Sequence, residues 1–206
     1  MQRDAYPVLE LVEKPSPCQS LIYSVFQREG LQRSQGGLVI ALVAAHPGAG
    51  TTHITSQLIA DLNRDVSGSA QSFSASQLVN SILPEHGGPA SGEVTFSGRG
   101  QITKRDGGWR NDRTYRLAVL QSLRQQARYI LLDCPSLRRS NECTALAPLV
   151  DGVLLVIEAN RTTKEQVSYL ERSVADAGGR VLGHVLNKRT YPIPESVFSR
   201  LERWGL

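Results

Sequence analysis

The chain has 206 residues, 40% of them apolar and 20% charged, with a formal net charge of +4. That length suits one well-buried core and leaves little room for two domains. The composition excludes a disordered or fibrous chain, and no apolar run approaches the length of a membrane span.

The opening Met1-Gln-Arg-Asp4 has no apolar stretch behind it, so no secretory leader is read and a cytoplasmic protein is expected. Cys18, Cys134 and Cys143 are too few and too scattered for a disulfide framework or a zinc site, and free thiols are expected. The mild positive charge permits an anionic partner without requiring one. Without a basic cluster interleaved with aromatics, nucleic acid is not an expected partner.

Residues 1–36 read as an N-terminal arm, with Pro7, Pro15 and Pro17 ahead of a helix over residues 19–31. Its Leu21, Ile22, Val25 and Phe26 recur at helical spacing. A single domain is expected over residues 37–206. It opens on Leu38–Ala45, continuously apolar and β-branched, as in a strand buried on both faces of a parallel sheet. His46-Pro-Gly-Ala-Gly50 then turns the chain into a helix over residues 51–62. Residues 85–112, rich in glycine and mixed charge, read as a long flexible surface loop.

Beyond it, helices are expected near 115–127, 142–149, 164–177 and 195–202, and strands at 129–133, 152–158 and 181–186. Strands alternating with helices predict an α/β fold: a doubly wound, mostly parallel sheet flanked by helices in three layers.

A strand, a glycine-rich turn and a helix present backbone N–H groups and a helix dipole to a phosphate. The full phosphate-loop pattern is G-x-x-x-x-G-K-[ST]. Here the matching stretch is Ala45-His-Pro-Gly-Ala-Gly-Thr-Thr52, with Gly50 and Thr52 in place and Thr51 where the lysine belongs. By itself this segment fits a plain strand-to-helix turn equally well. Asp133, ending the apolar strand Tyr129-Ile-Leu-Leu-Asp133, adds a carboxylate at the sheet edge where phosphate-loop proteins hold Mg²⁺. An aspartate ending a strand can also be a plain helix cap.

Together with Asp151-Gly-Val-Leu-Leu-Val-Ile-Glu-Ala159, Arg161-Thr-Thr163 and Gly183-His-Val-Leu-Asn187, these segments resemble bacterial tyrosine kinases. Those are phosphate-loop ATPase-like domains that regulate capsule and exopolysaccharide export. The resemblance runs over roughly residues 15 to 200, and the MinD and ParA partition ATPases share the scaffold. It assigns phosphate contacts to Gly48, Ala49, Gly50, Thr51 and Thr52, and base contact to Asn187. It gives Mg²⁺ to Thr52 and Asp133, and makes Asp133 the catalytic residue of an active chain. A strand-end asparagine is also a common turn former.

The departures from that family are equally specific. Thr51 removes the cation aimed at the β- and γ-phosphates, so binding of ATP or ADP with Mg²⁺ is expected to be weakened. The family's acidic Asp-x-Asp after its second strand corresponds to Ser67–Ala75, which holds no acid. Its ring-forming Glu-x-x-Arg-x-x-Arg falls on Ser20, Tyr23 and Phe26, and its tyrosine cluster is reduced to Tyr191. These departures imply a degenerate relative, a regulatory partner in polysaccharide export. Its expected partner is the cytoplasmic segment of a membrane copolymerase or a kinase paralogue, or a second copy in a homo-oligomer.

Two other readings stay open. An active autokinase or ATPase would recruit a substitute cation, for which Arg138, Arg139 and Lys104 qualify by sign. A partition-type ATPase would meet DNA or a membrane through its positive surface; the segment Val197–Leu206 approaches an amphipathic membrane helix, although packing of that face on the core is the commoner explanation. His46 and His53 flank the loop, either as ordinary helix-start residues or as titratable stand-ins for the lysine. Cys134 reads as a small buried residue.

Overall fold

The computed structural model describes residues 18–31, 36–65, 69–80, 94–97, 101–104 and 113–189. The expected helix at 195–202, Tyr191 and the segment Val197–Leu206 lie outside them, as do Pro7, Pro15 and Pro17.

Helix α1 is the helical stretch 19–31, whose middle, Ile22–Gln27, is wound as a π-helix. There follow β1 (Leu38–Ala44), α2 (Thr51–Asp65), β2 (Ala70–Ser74) and α3 (Ala75–Asn80). The chain continues through β3 (Val94–Ser97), β4 (Gln101–Lys104), α4 (Arg113–Gln126) and β5 (Tyr129–Asp133). The described residues close with α5 (Glu142–Leu146) and a short 3₁₀ turn, then β6 (Gly152–Glu158), α6 (Lys164–Asp176) and β7 (Val181–Asn187).

Five strands form one sheet in the order β2-β5-β1-β6-β7, every pair parallel. β1 lies in the middle, and all seven of its residues are buried because helices cover both faces. Alternate side chains go to opposite layers. Val39, Ala41 and Val43 pack with Val119 and Leu123 of α4, Leu146 of α5 and Leu170 of α6. Leu38, Ile40 and Leu42 pack with Ile22 and Phe26 of α1 and Leu58 and Leu62 of α2. This is the three-layer α/β architecture that the alternating pattern predicts. Truncating Leu58 or Leu62, both fully buried, to alanine is expected to cost about 2–5 kcal/mol.

Three strands depart from the sequence-based reading. β2, Ala-Gln-Ser-Phe-Ser, is an edge strand with only Ala70 and Phe73 buried, so it lacks the continuous apolar run that marks its neighbours. Inside the expected loop 85–112, β3 and β4 pair antiparallel, with Val94 opposite Lys104 and Phe96 opposite Ile102. Their period-2 alternation is four residues long on each side, and the flanking glycines hide it.

The register decides what stands at the carboxyl edge of the sheet. Ser74 is level with Asp133, Leu42 with Asp133, Ala44 with Val156, and Glu158 with Asn187. The ends of β2, β5, β6 and β7 therefore gather around the loop that follows β1.

Candidate functional site

The loop after β1 turns by using two glycines in left-handed conformations, Gly48 at φ +82° and Gly50 at φ +95°. Gly50 is also the point of closest approach to β7. A β-carbon there would lie 2.2 Å from the side-chain nitrogen of Asn187. The α2 ladder starts at once, with the Ile54 N–H bonded to the Gly50 carbonyl. The N–H groups of the first turn thus have no intrahelical acceptor and are available to an anion.

The Thr52 hydroxyl donates to the Asp133 carboxylate over 2.7 Å. The two residues that the motif reading pairs across 81 positions are therefore in direct contact. Burial pushes the Asp133 carboxyl above its usual range, and the bond from Thr52 pulls only part of the way back. A half-buried carboxylate with one hydroxyl neighbour suits a hard divalent cation. No cluster of three or more His, Cys, Asp or Glu able to hold a metal alone occurs among the described residues. The donor set thus fits Mg²⁺, which takes one or two protein oxygens and completes its shell with water and phosphate.

A cleft of about 360 Å³ lies over this pair. It is lined by the loop (His46, Pro47, Gly48, Gly50, Thr51, Thr52), by Ser74 of β2, and by Asp133 to Ser136 with Arg139 beyond β5. Ser74 occupies the end of β2, so a hydroxyl reaches the cleft where the family resemblance calls for an acid. Cys134 is buried, as expected, and so are Cys18 and Cys143; all three are free thiols.

The back of the loop is tied to β6 and β7. Asn187 donates to the Ala49 carbonyl (2.8 Å), and its own side-chain oxygen accepts from the Lys188 N–H (2.9 Å). Lys188 donates to the Gly48 carbonyl (2.6 Å) and pairs with Glu158 (3.2 Å). Glu158 also meets Arg161 at 3.4 Å and His46 at 3.7 Å. Its burial opposes ionisation, but the hydrogen bond from Lys188 and the charges of Lys188 and Arg161 outweigh that and hold its carboxyl below the usual range. With Nδ1 of His46 donating to the Pro47 carbonyl, its Nε2 accepts from the Thr162 hydroxyl at 3.1 Å. Thr162 in turn accepts from the Glu158 N–H.

The sequence-based candidates are placed as follows. Gly48, Gly50, Thr51, Thr52 and Asp133 all line the cleft, while Ala49 is buried behind it. Asn187 packs against the loop, and its amide bonds to the loop backbone. His46 is buried and hydrogen-bonded, and His53 is exposed on α2 outside the cleft lining. Of the candidate cations, Arg139 lines the cleft. Arg138 faces a second groove of about 320 Å³ with Ala45, Leu137, Glu165, Gln166 and Tyr169. The Lys104 side chain lies outside the described residues. Glu158 and Lys188 were missed by sequence reasoning, although Glu158 ends β6 and Lys188 directly follows β7 at the edge where the loop lies.

No protein-family model matches the chain. A Staphylococcus aureus protein described as "Putative tyrosine-protein kinase CapB" is 35% identical over 60 residues, 29% of this chain and 26% of that one. The succinoglycan biosynthesis transport protein ExoP of Rhizobium meliloti (strain 1021) is 34% identical over 70 residues, 34% of this chain and 9% of ExoP. The chain thus spans only a minor part of either curated relative.

Among solved structures, the kinase domain of the Escherichia coli tyrosine kinase ETK superposes with a TM-score of 0.56 at 14% identity, covering 85% of this chain and 75% of that one. The chain has the fold of the bacterial tyrosine kinase domains. The chimerical protein CapA2B2 gives a TM-score of 0.57 at 14% identity, covering 85% of this chain and 87% of the other. A Mycobacterium smegmatis cobyrinic acid a,c-diamide synthase with bound ADP and magnesium gives 0.51 at 11% identity, covering 82% and 81%. No helix among the described residues is long and apolar enough to cross a membrane.

Proposed function

We propose that this chain is a degenerate tyrosine-kinase-like protein that acts as a nucleotide-binding regulatory partner in exopolysaccharide or capsule export. One observation carries the reading. The Thr52 hydroxyl stands 2.7 Å from the Asp133 carboxylate, a pair of oxygens suited to Mg²⁺, yet the adjoining position 51 is a neutral threonine. Phosphoryl transfer depends almost entirely on stabilising charge that develops on the phosphate oxygens. Binding also draws on loop N–H groups and metal, so it survives the loss of a lysine better than turnover does. The serine at position 74 points the same way, because among the described residues no second carboxylate lines the cleft to hold metal or activate a tyrosine hydroxyl.

The polysaccharide pathway rests on the relatives, one of them a succinoglycan transport protein. Its partner on this reading is the cytoplasmic segment of a membrane copolymerase or a kinase paralogue, placing the chain in the cytoplasm at the inner face of the membrane. ATP or ADP with Mg²⁺ is the ligand, Gly48, Ala49, Gly50, Thr51 and Thr52 cradle the phosphates, and Asn187 lies behind them. Self-association into a homo-oligomer is a further part of the proposal.

Calorimetric titration with ATP and ADP, with and without Mg²⁺, followed by a phosphate-release assay on the same sample, tests this reading. Binding without release is expected. Release abolished by Asp133→Ala would make the chain an enzyme instead.

A further inference from the structure

The cleft holds two groups that neither the loop nor the Thr52–Asp133 pair uses. Ser136 is 7% exposed and lines the cleft, and its hydroxyl has no hydrogen-bond partner among the described residues. Buried hydroxyls are nearly always satisfied, so an orphan in a cleft wall points to a partner that arrives with a ligand. Arg139 lines the same cleft with an exposed side chain, and no ion pair engages its guanidinium among the described residues.

Backbone geometry brings the two together. Beyond β5 the chain stays bonded to β1, through the Cys134 N–H to the Leu42 carbonyl and the Leu137 N–H to the Ala44 carbonyl. Ser136 is thereby held beside the end of β1, where the phosphate loop starts. A tight turn follows, in which the N–H groups of Arg139 and Ser140 both bond to the Ser136 carbonyl at 2.8 and 3.2 Å. That turn sends Arg139 to the cleft and its neighbour Arg138 to the separate groove.

We propose that Arg139 and Ser136 form the grip on the phosphate chain of a bound nucleotide, from the β5 side of the cleft, in place of a lysine from α2. The guanidinium offers a planar pair of donors matched to a phosphate, and the hydroxyl supplies one more. This rests on the reading of the cleft as a phosphate site. It extends that reading by naming the charge that replaces the missing one. It also accounts for holding without transfer, because the cation approaches from the turn after β5 and not from the first turn of α2.

The test is calorimetric titration of the whole chain with ADP and Mg²⁺, comparing wild type with Arg139→Gln, Arg139→Lys, Ser136→Ala and Arg138→Gln, each checked for its melting temperature. Arg139→Gln is expected to weaken binding about ten- to a hundredfold, with Arg139→Lys recovering only part. Ser136→Ala is expected to weaken binding severalfold while its melting temperature holds or rises, since an unpartnered buried hydroxyl is removed. Arg138→Gln should match wild type. If Arg139→Gln and Ser136→Ala both bind like wild type, the grip is refuted while the phosphate site stands. If wild type binds neither ADP nor ATP, the phosphate reading falls, and the grip with it.

Discussion

Asn187 packs so tightly on Gly50 that a β-carbon at position 50 would lie 2.2 Å from its amide nitrogen. The contact joins the end of the last sheet strand to the last turn of the phosphate loop, and the same amide holds the Ala49 carbonyl. The loop is therefore set from behind before any ligand enters the cleft.

Gly48 and Gly50 should consequently differ in their tolerance of alanine. Both have positive φ, which alone costs a β-carbon about 1–2 kcal/mol. At Gly48 nothing lies within 4 Å of the added carbon, so Gly48→Ala should cost about that much. Gly50→Ala should cost more, because Asn187 must move and release Ala49. Adding Asn187→Ala should restore part of the difference. Chemical denaturation of the two single variants and the double variant measures this.

Asp133 gives a pH signature in the ligand-free protein. Its folded-state carboxyl is raised, mainly by burial. Between the unfolded and folded values the native state therefore holds a proton that the unfolded chain has released. Its contribution to stability is intact below the ordinary aspartate range and falls as pH rises through the folded value. Asp133→Asn keeps an acceptor for Thr52 and removes the charge. Thermal melts should show this variant more stable than wild type at neutral pH, with the gap closing at acid pH. Mg²⁺ should stabilise wild type and leave the variant unmoved.

Glu158 behaves in the opposite sense. Held below its usual range chiefly by Lys188, it contributes stability above the ordinary glutamate value, lost as pH falls through the lowered one. Lys188→Met removes that partner and the bond to the Gly48 carbonyl, which alone is worth about 1 kcal/mol. The variant should be less stable than wild type at pH 7, and the deficit should shrink as Glu158 protonates. Denaturation curves across pH check it.

Much of this was legible in the sequence, and what was not has physical causes. β1, β5 and β6 are buried on both faces, so their residues had to be continuously apolar and could be placed at sight. β2 buries one residue on each face, Ala70 on one and Phe73 on the other, and its remaining Gln and Ser residues make it read as polar. Thr52 and Asp133 could be paired because a motif predicts both ends of the contact. Glu158 and Lys188, separated by 30 residues, belong to no such motif and meet only because β6 and β7 are adjacent and in register. Arg138 and Arg139 were indistinguishable by sign. The turn that bonds both following N–H groups to the Ser136 carbonyl separates them.

Position 51 can be tested by restoration. Thr51→Lys returns a cation to the first turn of α2, and a charge-assisted bond to phosphate is worth about 1.5–3 kcal/mol. ATP affinity should rise about tenfold or more, and the gain for ADP should be smaller because the lysine addresses the terminal phosphate. Competition with a fluorescent nucleotide gives both values.

On the proposed reading this cleft holds a nucleotide and does not split it. The most direct measurement is phosphate release from ATP under saturating Mg²⁺, with wild type run beside Asp133→Ala and Thr51→Lys. We predict that wild type binds ATP but releases phosphate no faster than Asp133→Ala. Steady release by wild type that disappears in Asp133→Ala and is no faster in Thr51→Lys would contradict the account.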